Sequence, residues 1–176
     1  MGTDSHHPLN QTVHNIQSVQ AYHPTDRGIR SATAEEIRAG LTADVYFVGT
    51  RQILERLDLA ELPVTAEVFA NHAGLLAGVE ETMALLRHLP IDVEALNEGE
   101  AVEEKDVVMR ITGRYGDFGI FETAILGILA SSSGWATRTR EVVQLANPVP
   151  VISFGAPISH WRLAVRRAAP RISGNL

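Results

Sequence analysis

The spacing of apolar and polar residues predicts helices in the first ordered part of the chain. A capping-box pattern at 33–36 places a threonine and a glutamate where they can satisfy free backbone N–H groups. Apolar residues then recur at helical spacing from Ile37 to Val48. This pattern predicts one or two helices that end near Leu57.

Short segments with a period of two follow, and each is bounded by proline, glycine or charged turns. A segment with one apolar helical face, Val79–Leu89, lies among them. The predicted strands are Val64–Ala70, Gly74–Ala77, Ile91–Ala95 and Val107–Ile111. Together they predict a small, mostly antiparallel sheet.

A long helix is expected after the sheet. Asp117 is a candidate N-cap, and residues 120–129 are apolar nearly all round, which predicts a helix buried on most sides. Residues 131–134 (Ser-Ser-Ser-Gly) predict a break or bend, after which a more polar helix runs to Ala146.

The remaining pattern sets the domain organisation. Val149–Ser153 reads as a strand of the parallel type, and ligands bind at the carboxyl ends of such strands in α/β sheets and barrels. The predicted class is α+β: an N-terminal α/β sandwich domain with a small antiparallel sheet, leading into the start of an incomplete α/β barrel. The expected divisions are a disordered segment at 1–32, the sandwich domain with its long helix at 33–146, and a truncated or divergent barrel start at 147–176.

Composition narrows the function classes. The net charge of −6 argues against a nucleic-acid binder, and the absence of cysteine excludes disulfides and thiol catalysis. Lys105 is the single lysine, which leaves little room for phosphate-loop or Schiff-base chemistry. The longest apolar stretch, 118–130, is shorter than the ~20 residues of a membrane span, so we expect a cytoplasmic protein without membrane contact. His72 and His88 lack neighbours at ligand spacing, and no metal site is predicted.

Four segments in order carry a family resemblance. They lie between about Ala34 and Ala156, most of the chain expected to be ordered. The segments are Leu41–Tyr46, Ala66–Glu81, Glu98–Gly113 and Glu122–Thr137, followed by Phe154–Gly155. In this order they resemble the N-terminal portion of the nicotinate phosphoribosyltransferase family, which is related to quinolinate phosphoribosyltransferase.

The resemblance implies a substrate site shared between two subunits of a homodimer. Tyr46 and Phe154 of the Phe154–Gly155 pair would hold a pyridine ring between two aromatic faces. Arg138 is a weaker candidate for contact with phosphate or carboxylate. Where the family has an arginine after Phe-Gly, this chain has Pro157, which cannot grip an anion.

The resemblance also implies a reaction of NAD salvage. Nicotinate would take the phosphoribosyl group of phosphoribosyl pyrophosphate, with Mg²⁺ on the leaving group and ATP hydrolysis as a driving force. No catalytic residue is assigned, because the family's catalytic histidine has no counterpart here. Since a barrel needs ~250 residues, we expect little or no turnover from this 176-residue chain.

Two alternatives stay open beside the nicotinate hypothesis. One is a quinolinate phosphoribosyltransferase-like enzyme, for which a basic cluster near the long helix is expected. The pair Glu122–Thr123, which contains no arginine, and the pair Phe154–Gly155 argue for nicotinate instead. The other is a non-catalytic fragment or interaction domain, because an uncovered apolar helix tends to associate.

Overall fold

The computed structural model describes residues 15–21 and 32–152 and shows a mixed fold of helices and small sheets. The predicted fold class is confirmed by this architecture. The helices are α1 (Ile16–Ala21), α2 (Ala34–Arg38), α3 (Val45–Arg56), α4 (Val79–Leu86), α5 (Tyr115–Phe118) and α6 (Glu122–Ala146). The strands are β1 (Pro63–Phe69), β2 (Gly74–Leu75), β3 (Asp92–Ala95), β4 (Ala101–Val102) and β5 (Val107–Arg114).

The described part of the chain divides into two compact units. The first unit comprises Met1–Val64, His88–Ile91 and Thr112–Ile125. The second unit comprises Thr65–Arg87, Asp92–Ile111 and Leu126–Leu176. Each has buried apolar residues of its own. They include Val48, Phe118, Phe121 and Ile125 in the first unit, and Leu86, Met109, Ile111 and Leu129 in the second.

The first unit contains the helices predicted between Ile37 and Leu57. The capping box is present, because Thr33 Oγ1 accepts the Glu36 N–H at 3.2 Å and the Glu36 carboxylate accepts the Thr33 N–H at 2.8 Å. Gly40 has a φ of +76°, which glycine adopts without steric cost, and it separates α2 from α3. The single apolar pattern therefore encodes two helices around a glycine turn.

Helix α1 lies inside the segment 1–32, for which the sequence predicts disorder. An added Cβ at Gly49 of α3 would lie 3.7 Å from Ile16 Cδ1, so the two helices are in contact. A helix of six residues gains its stability from such packing rather than from local propensity. The rest of the segment up to Ser31 lies outside the described residues.

The sheets lie mostly in the second unit. One sheet has the strand order β1-β5-β3, and the other pairs β2 with β4 antiparallel, with Gly74 opposite Val102. The end of β1 meets the start of β5, where the Lys105 N–H donates to Ala70 O at 2.8 Å. On β5, Met109 is buried, whereas exposed Arg110 pairs with Glu67 of β1 at 2.8 Å. The predicted antiparallel sheet is confirmed, with a shorter second strand.

Several predictions about α6 are wrong. Asp117 lies within α5 rather than capping α6, which begins at Glu122 after a 3-10 turn. Residues 131–134 neither break nor end the helix. Ser133 finds partners outside α6, because its hydroxyl accepts the Ala77 N–H at 2.9 Å and donates to Ala77 O. A serine with external partners does not compete for the backbone of its own helix.

The expected burial of residues 120–129 on most sides is found in part, since Ile125 and Leu129 are buried whereas Leu126 is 43% exposed. Only one stripe of the helix in the second unit is buried, formed by Leu129, Ser132 and Ala136. Trp135 is 45% exposed and Leu145 is 88% exposed. The helical stretch Tyr115–Ala146 is long and apolar enough to cross a membrane by length and composition alone, a test that core helices of soluble proteins also pass.

The strand predicted at 149–153 is not found in its described part. Residues 149–152 form no strand, because the chain turns after α6 ends at Ala146. The remainder of the predicted barrel start, from Ser153, lies outside the described residues.

Glu98 fixes the start of α4. Its carboxylate accepts the N–H groups of Gly78 and Val79, each at 2.8 Å, and that of Glu80 at 3.2 Å. A helix begins with N–H groups that have no partner inside the helix. Glu98 supplies those partners from a different part of the second unit. The sequence predicts a turn at Glu98 but not its role as a helix cap.

We expect Glu98→Ala to lower the free energy of unfolding by about 1–3 kcal/mol, because the N–H groups of Gly78 and Val79, both buried, lose their acceptor. Urea denaturation followed by circular dichroism measures this change. Glu104→Ala is the matched control, since Glu104 is exposed in a neighbouring turn. Equal effects of the two substitutions would contradict the capping role.

Gly78 allows α4 and α6 to approach closely. It has a φ of +90°, and an added Cβ would lie 2.9 Å from Ile128 O and 3.1 Å from Ser132 Cβ. Gly99 has a similar φ of +84°, but an added Cβ there meets no atom within 4 Å. The two glycines share the backbone requirement, and only Gly78 adds a steric one.

We expect Gly78→Ala to cost about 2–4 kcal/mol of stability, because it adds overpacking to the left-handed backbone cost. Gly99→Ala should cost only about 1 kcal/mol, the backbone part alone. Thermal and urea unfolding of both variants measure the difference. If Gly99→Ala destabilises the protein as much as Gly78→Ala, the close approach at Ile128 is not the cause.

Candidate functional site

The first turn of α3 is tied to the first turn of α6 within the first unit. Asp44 is the N-cap of α3, and its Oδ1 accepts the Tyr46 N–H at 2.9 Å. The Asp44 N–H donates to Thr123 Oγ1 at 3.0 Å. These bonds position the segment that carries Tyr46 relative to the start of α6.

Tyr46 projects from this turn into solvent. It is 78% exposed, although a tyrosine is large and mostly apolar. Neighbouring Val45 is also exposed. Tyr46 is therefore no core aromatic in the described structure, and its ring is accessible to a ligand or to another chain.

Two titratable groups that the sequence did not single out as a pair lie near the start of α6. Burial raises the pKa of the Glu122 carboxyl above its ordinary value of 4.5. The pKa of the Tyr115 hydroxyl is raised by burial and, secondarily, by the charge of Glu122. The ring of Tyr115 covers Gly119, where an added Cβ would lie 2.5 Å from Cζ. The two residues are separated by the end of α5 and a 3-10 turn, so no regular helical spacing in the sequence indicates the pair.

Nearby Arg114 is already engaged. Its guanidinium pairs with both oxygens of Asp117, at 2.7 and 3.1 Å, and with Glu61. Its pKa is raised further by these hydrogen bonds, first from Asp117 and then from Glu61. Arg114 therefore joins α5 to the loop before β1 rather than offering a free cation.

A cavity of about 560 Å³ lies in the second unit along α6. We call it the α6 cavity. Its walls include aliphatic side chains of the sheet and of α6, some of them exposed, together with polar side chains. The lining residues include Val68, Val108, Leu126, Leu129, Asn71, His72, Arg138 and Glu141.

Arg138 lines this cavity and forms an exposed ion pair. Its Nη1 donates to Glu141 Oε2 at 2.7 Å, and its side chain is 78% exposed. The preceding Thr137 is committed to structure, since its Oγ1 accepts the Leu75 N–H at 2.9 Å. Exposed pairs of this kind contribute little stability, about 0–1 kcal/mol, so Arg138 can exchange its partner for another anion.

The predicted site residues are thus placed in different parts of the chain. Tyr46 lies in the first unit and Arg138 in the second. Phe154 and Gly155 lie outside the described residues. Among residues 15–21 and 32–152, no group of three or more histidine or acidic side chains could hold a metal ion.

Residues 44–133 match the family model of the N-terminal domain of quinolinate phosphoribosyl transferase. The chain belongs to this family. The match begins at the N-cap of α3 and ends within α6, so it includes Tyr46, Glu98 and the close approach at Gly78.

Relatives of known name agree with the family match. A protein of Archaeoglobus fulgidus, named a probable carboxylating nicotinate-nucleotide pyrophosphorylase, is 33% identical over 103 residues. That match covers 54% of this chain and 40% of the relative. The crystal structure of nicotinate-nucleotide pyrophosphorylase from Pyrococcus furiosus is similar with a TM-score of 0.71 and 38% identity, over 81% of this chain and 39% of that one. The chain thus spans about two fifths of the length of these relatives.

The family match corrects the functional expectation. The nicotinate phosphoribosyltransferase of NAD salvage is not the family indicated, and the quinolinate alternative is the one supported. The structure of human nicotinic acid phosphoribosyltransferase shares the fold, with a TM-score of 0.62 at 16% identity over 72% of this chain and 34% of that one. Related folds explain why the motifs pointed to the neighbouring family.

The quoted motifs could not separate the two families because several of them serve the fold. Asp44 caps α3, Glu98 caps α4 and Gly78 allows helix contact. Such residues say how the chain folds and not which pyridine acid it binds. The adjacent pair Glu122–Thr123, without an arginine, and the pair Phe154–Gly155 were the features that misled the assignment.

The raised pKa of Glu122 predicts a pH dependence of stability. Its protonated form is favoured in the folded state, so its contribution is complete below about pH 4.5 and is lost as the pH rises through the folded pKa. We expect Glu122→Gln to become more stable relative to wild type between pH 4.5 and neutrality. Urea denaturation across this range measures the difference, with exposed Glu104→Gln as control. A difference that stays constant with pH would contradict the prediction.

Proposed function

We propose that this chain supplies the N-terminal domain of a quinolinate phosphoribosyltransferase that acts in NAD synthesis. The match of residues 44–133 to that domain carries the proposal. The names of the relatives support it, since "carboxylating nicotinate-nucleotide pyrophosphorylase" describes the same reaction written in the reverse direction. The chain spans about two fifths of the length of these relatives, and the contribution proposed for this domain is to the binding of quinolinate.

The reaction is a substitution at the anomeric carbon of phosphoribosyl pyrophosphate. The pyridine nitrogen of quinolinate forms a bond to this carbon, and the bond to pyrophosphate breaks with its electron pair. The carboxylate beside the nitrogen leaves as CO₂, and a proton takes its place. Nicotinate mononucleotide, pyrophosphate and CO₂ are the products.

Tyr46 is the residue of the described structure that best suits the pyridine ring. Its side chain is 78% exposed at the start of a helix that Asp44 caps and Thr123 anchors. An exposed ring on a fixed turn can stack on a flat aromatic acid without first leaving a core. We propose that it does so in a homodimer, where Phe154 and Gly155 provide the other face.

The cofactor proposals follow from the substrates. Mg²⁺ would neutralise charge on the pyrophosphate and reach the site bound to it, which needs no cluster of protein ligands. The ATP expected from the nicotinate resemblance has no role in this scheme, because loss of CO₂ already drives the reaction forward. A cytoplasmic location suits these charged substrates.

Isothermal titration of the purified chain with quinolinate, with phosphoribosyl pyrophosphate and Mg²⁺ present, tests the proposal. We expect quinolinate to bind more tightly than nicotinate. Tyr46→Ala should weaken binding by about tenfold through loss of the stacked ring, whereas Tyr46→Phe, which keeps the ring, should bind like wild type.

Ile53→Ala is a control for surface change, because Ile53 is an exposed apolar residue further along α3. Preference for nicotinate would contradict the proposed substrate. Binding that is unaffected by Tyr46→Ala would contradict the proposed role of this tyrosine. Absence of binding to either acid would contradict the proposal that this chain contributes to the site.

A further inference from the structure

We propose that the α6 cavity is a binding site for a small aliphatic carboxylate, separate from the pyridine site proposed for Tyr46. The cavity lies within the second unit, and its volume of about 560 Å³ is within the range of ligand pockets, about 300–1,000 Å³. Tyr46 belongs to the first unit and does not line it.

The walls of the cavity favour an aliphatic ligand. Val68 and Val108 line it from the sheet, and Leu126, Leu129 and Ala130 line it from α6. Leu126 is 43% exposed, so a ligand would cover apolar surface that now faces water. Burial of such surface contributes roughly 25 cal/mol per Å² before the costs of binding are counted.

The cavity offers little surface on which an aromatic ligand could stack. Phe69 is the aromatic residue among the described lining residues, and the Lys105 ammonium lies 5.2 Å from the centre of its ring. A cation over a ring competes with stacking on that face. The body of the ligand is therefore assigned as aliphatic.

The polar lining residues favour a ligand with a negatively charged group. Arg138, His72 and Asn71 each bring N–H donors to the lining. Glu141 lines the same part and holds Arg138 through one hydrogen bond from Nη1. A guanidinium has five N–H donors, so a ligand carboxylate can bind Arg138 beside this contact or in exchange for it.

The position of Arg138 on α6 is fixed independently of any ligand. Two side chains hold this face of α6 in place. Thr137 Oγ1 accepts the Leu75 N–H of β2, and Ser133 Oγ accepts the N–H of Ala77, two residues further on. An added Cβ at Gly74 would lie 2.5 Å from Thr137 Oγ1, so the strand and helix are in close contact. The helix therefore presents Arg138 at the cavity from a fixed support.

Titration of the ¹⁵N-labelled chain with octanoate, followed by heteronuclear NMR, tests the proposal. Octanamide is the matched neutral ligand with the same aliphatic body. We expect octanoate to shift signals of residues 68–76 and 126–141 and to bind more tightly than octanamide. Arg138→Gln should weaken octanoate about tenfold and leave octanamide unchanged.

Two further variants keep the outcome decisive. Arg140→Gln removes the same charge from the same helix at a position that does not line the cavity, and it should leave binding unchanged. Ala130→Leu should reduce binding of both ligands by filling the cavity. The proposal fails if octanoate shifts no signals, if it shifts signals elsewhere, if octanamide binds equally well, or if Arg138→Gln acts no more strongly than Arg140→Gln.

Discussion

The contact between the start of α4 and the middle of α6 is the constraint on which the second unit depends. A Cβ added at residue 78 would lie 2.9 Å from Ile128 O, so this position accommodates only glycine. The same glycine begins α4 and donates its N–H to Glu98, so one residue joins helix contact to helix capping. Ser133 and Thr137 then hold β2 to α6 through side-chain oxygens, and the α6 cavity lies beside this arrangement.

Local patterns predicted much of this fold, because they act over a few residues. The capping box at 33–36, the alternation in β5 and the stop at Ala146 all depend on neighbours in sequence. Long-range partners decided the rest. Within residues 131–134, Ser133 bonds to Ala77, and Ile16 of α1 packs against Gly49 of α3. No pattern within a short window contains such contacts.

The candidate site was predictable only in outline. The sequence placed Tyr46 within a predicted helical segment, but its position in the first turn of α3 and its exposure depend on structure that the pattern does not contain. The Tyr115 and Glu122 pair required knowledge of burial, which raises both pKa values. Substrate class was beyond the motifs, since residues that cap and pack helices are shared by proteins of one fold with different substrates.

The cation above Phe69 gives the molecule a chemical property of practical use. Lys105 is the single lysine of the chain, and it lies in a turn with a φ of +72°, with its ammonium 5.2 Å from a ring that lines the α6 cavity. An amine-reactive dye can therefore attach to one side chain, with the α-amino group as the other target. A fluorophore at Lys105 would report on the polarity of its surroundings from beside the cavity, without the introduction of a cysteine.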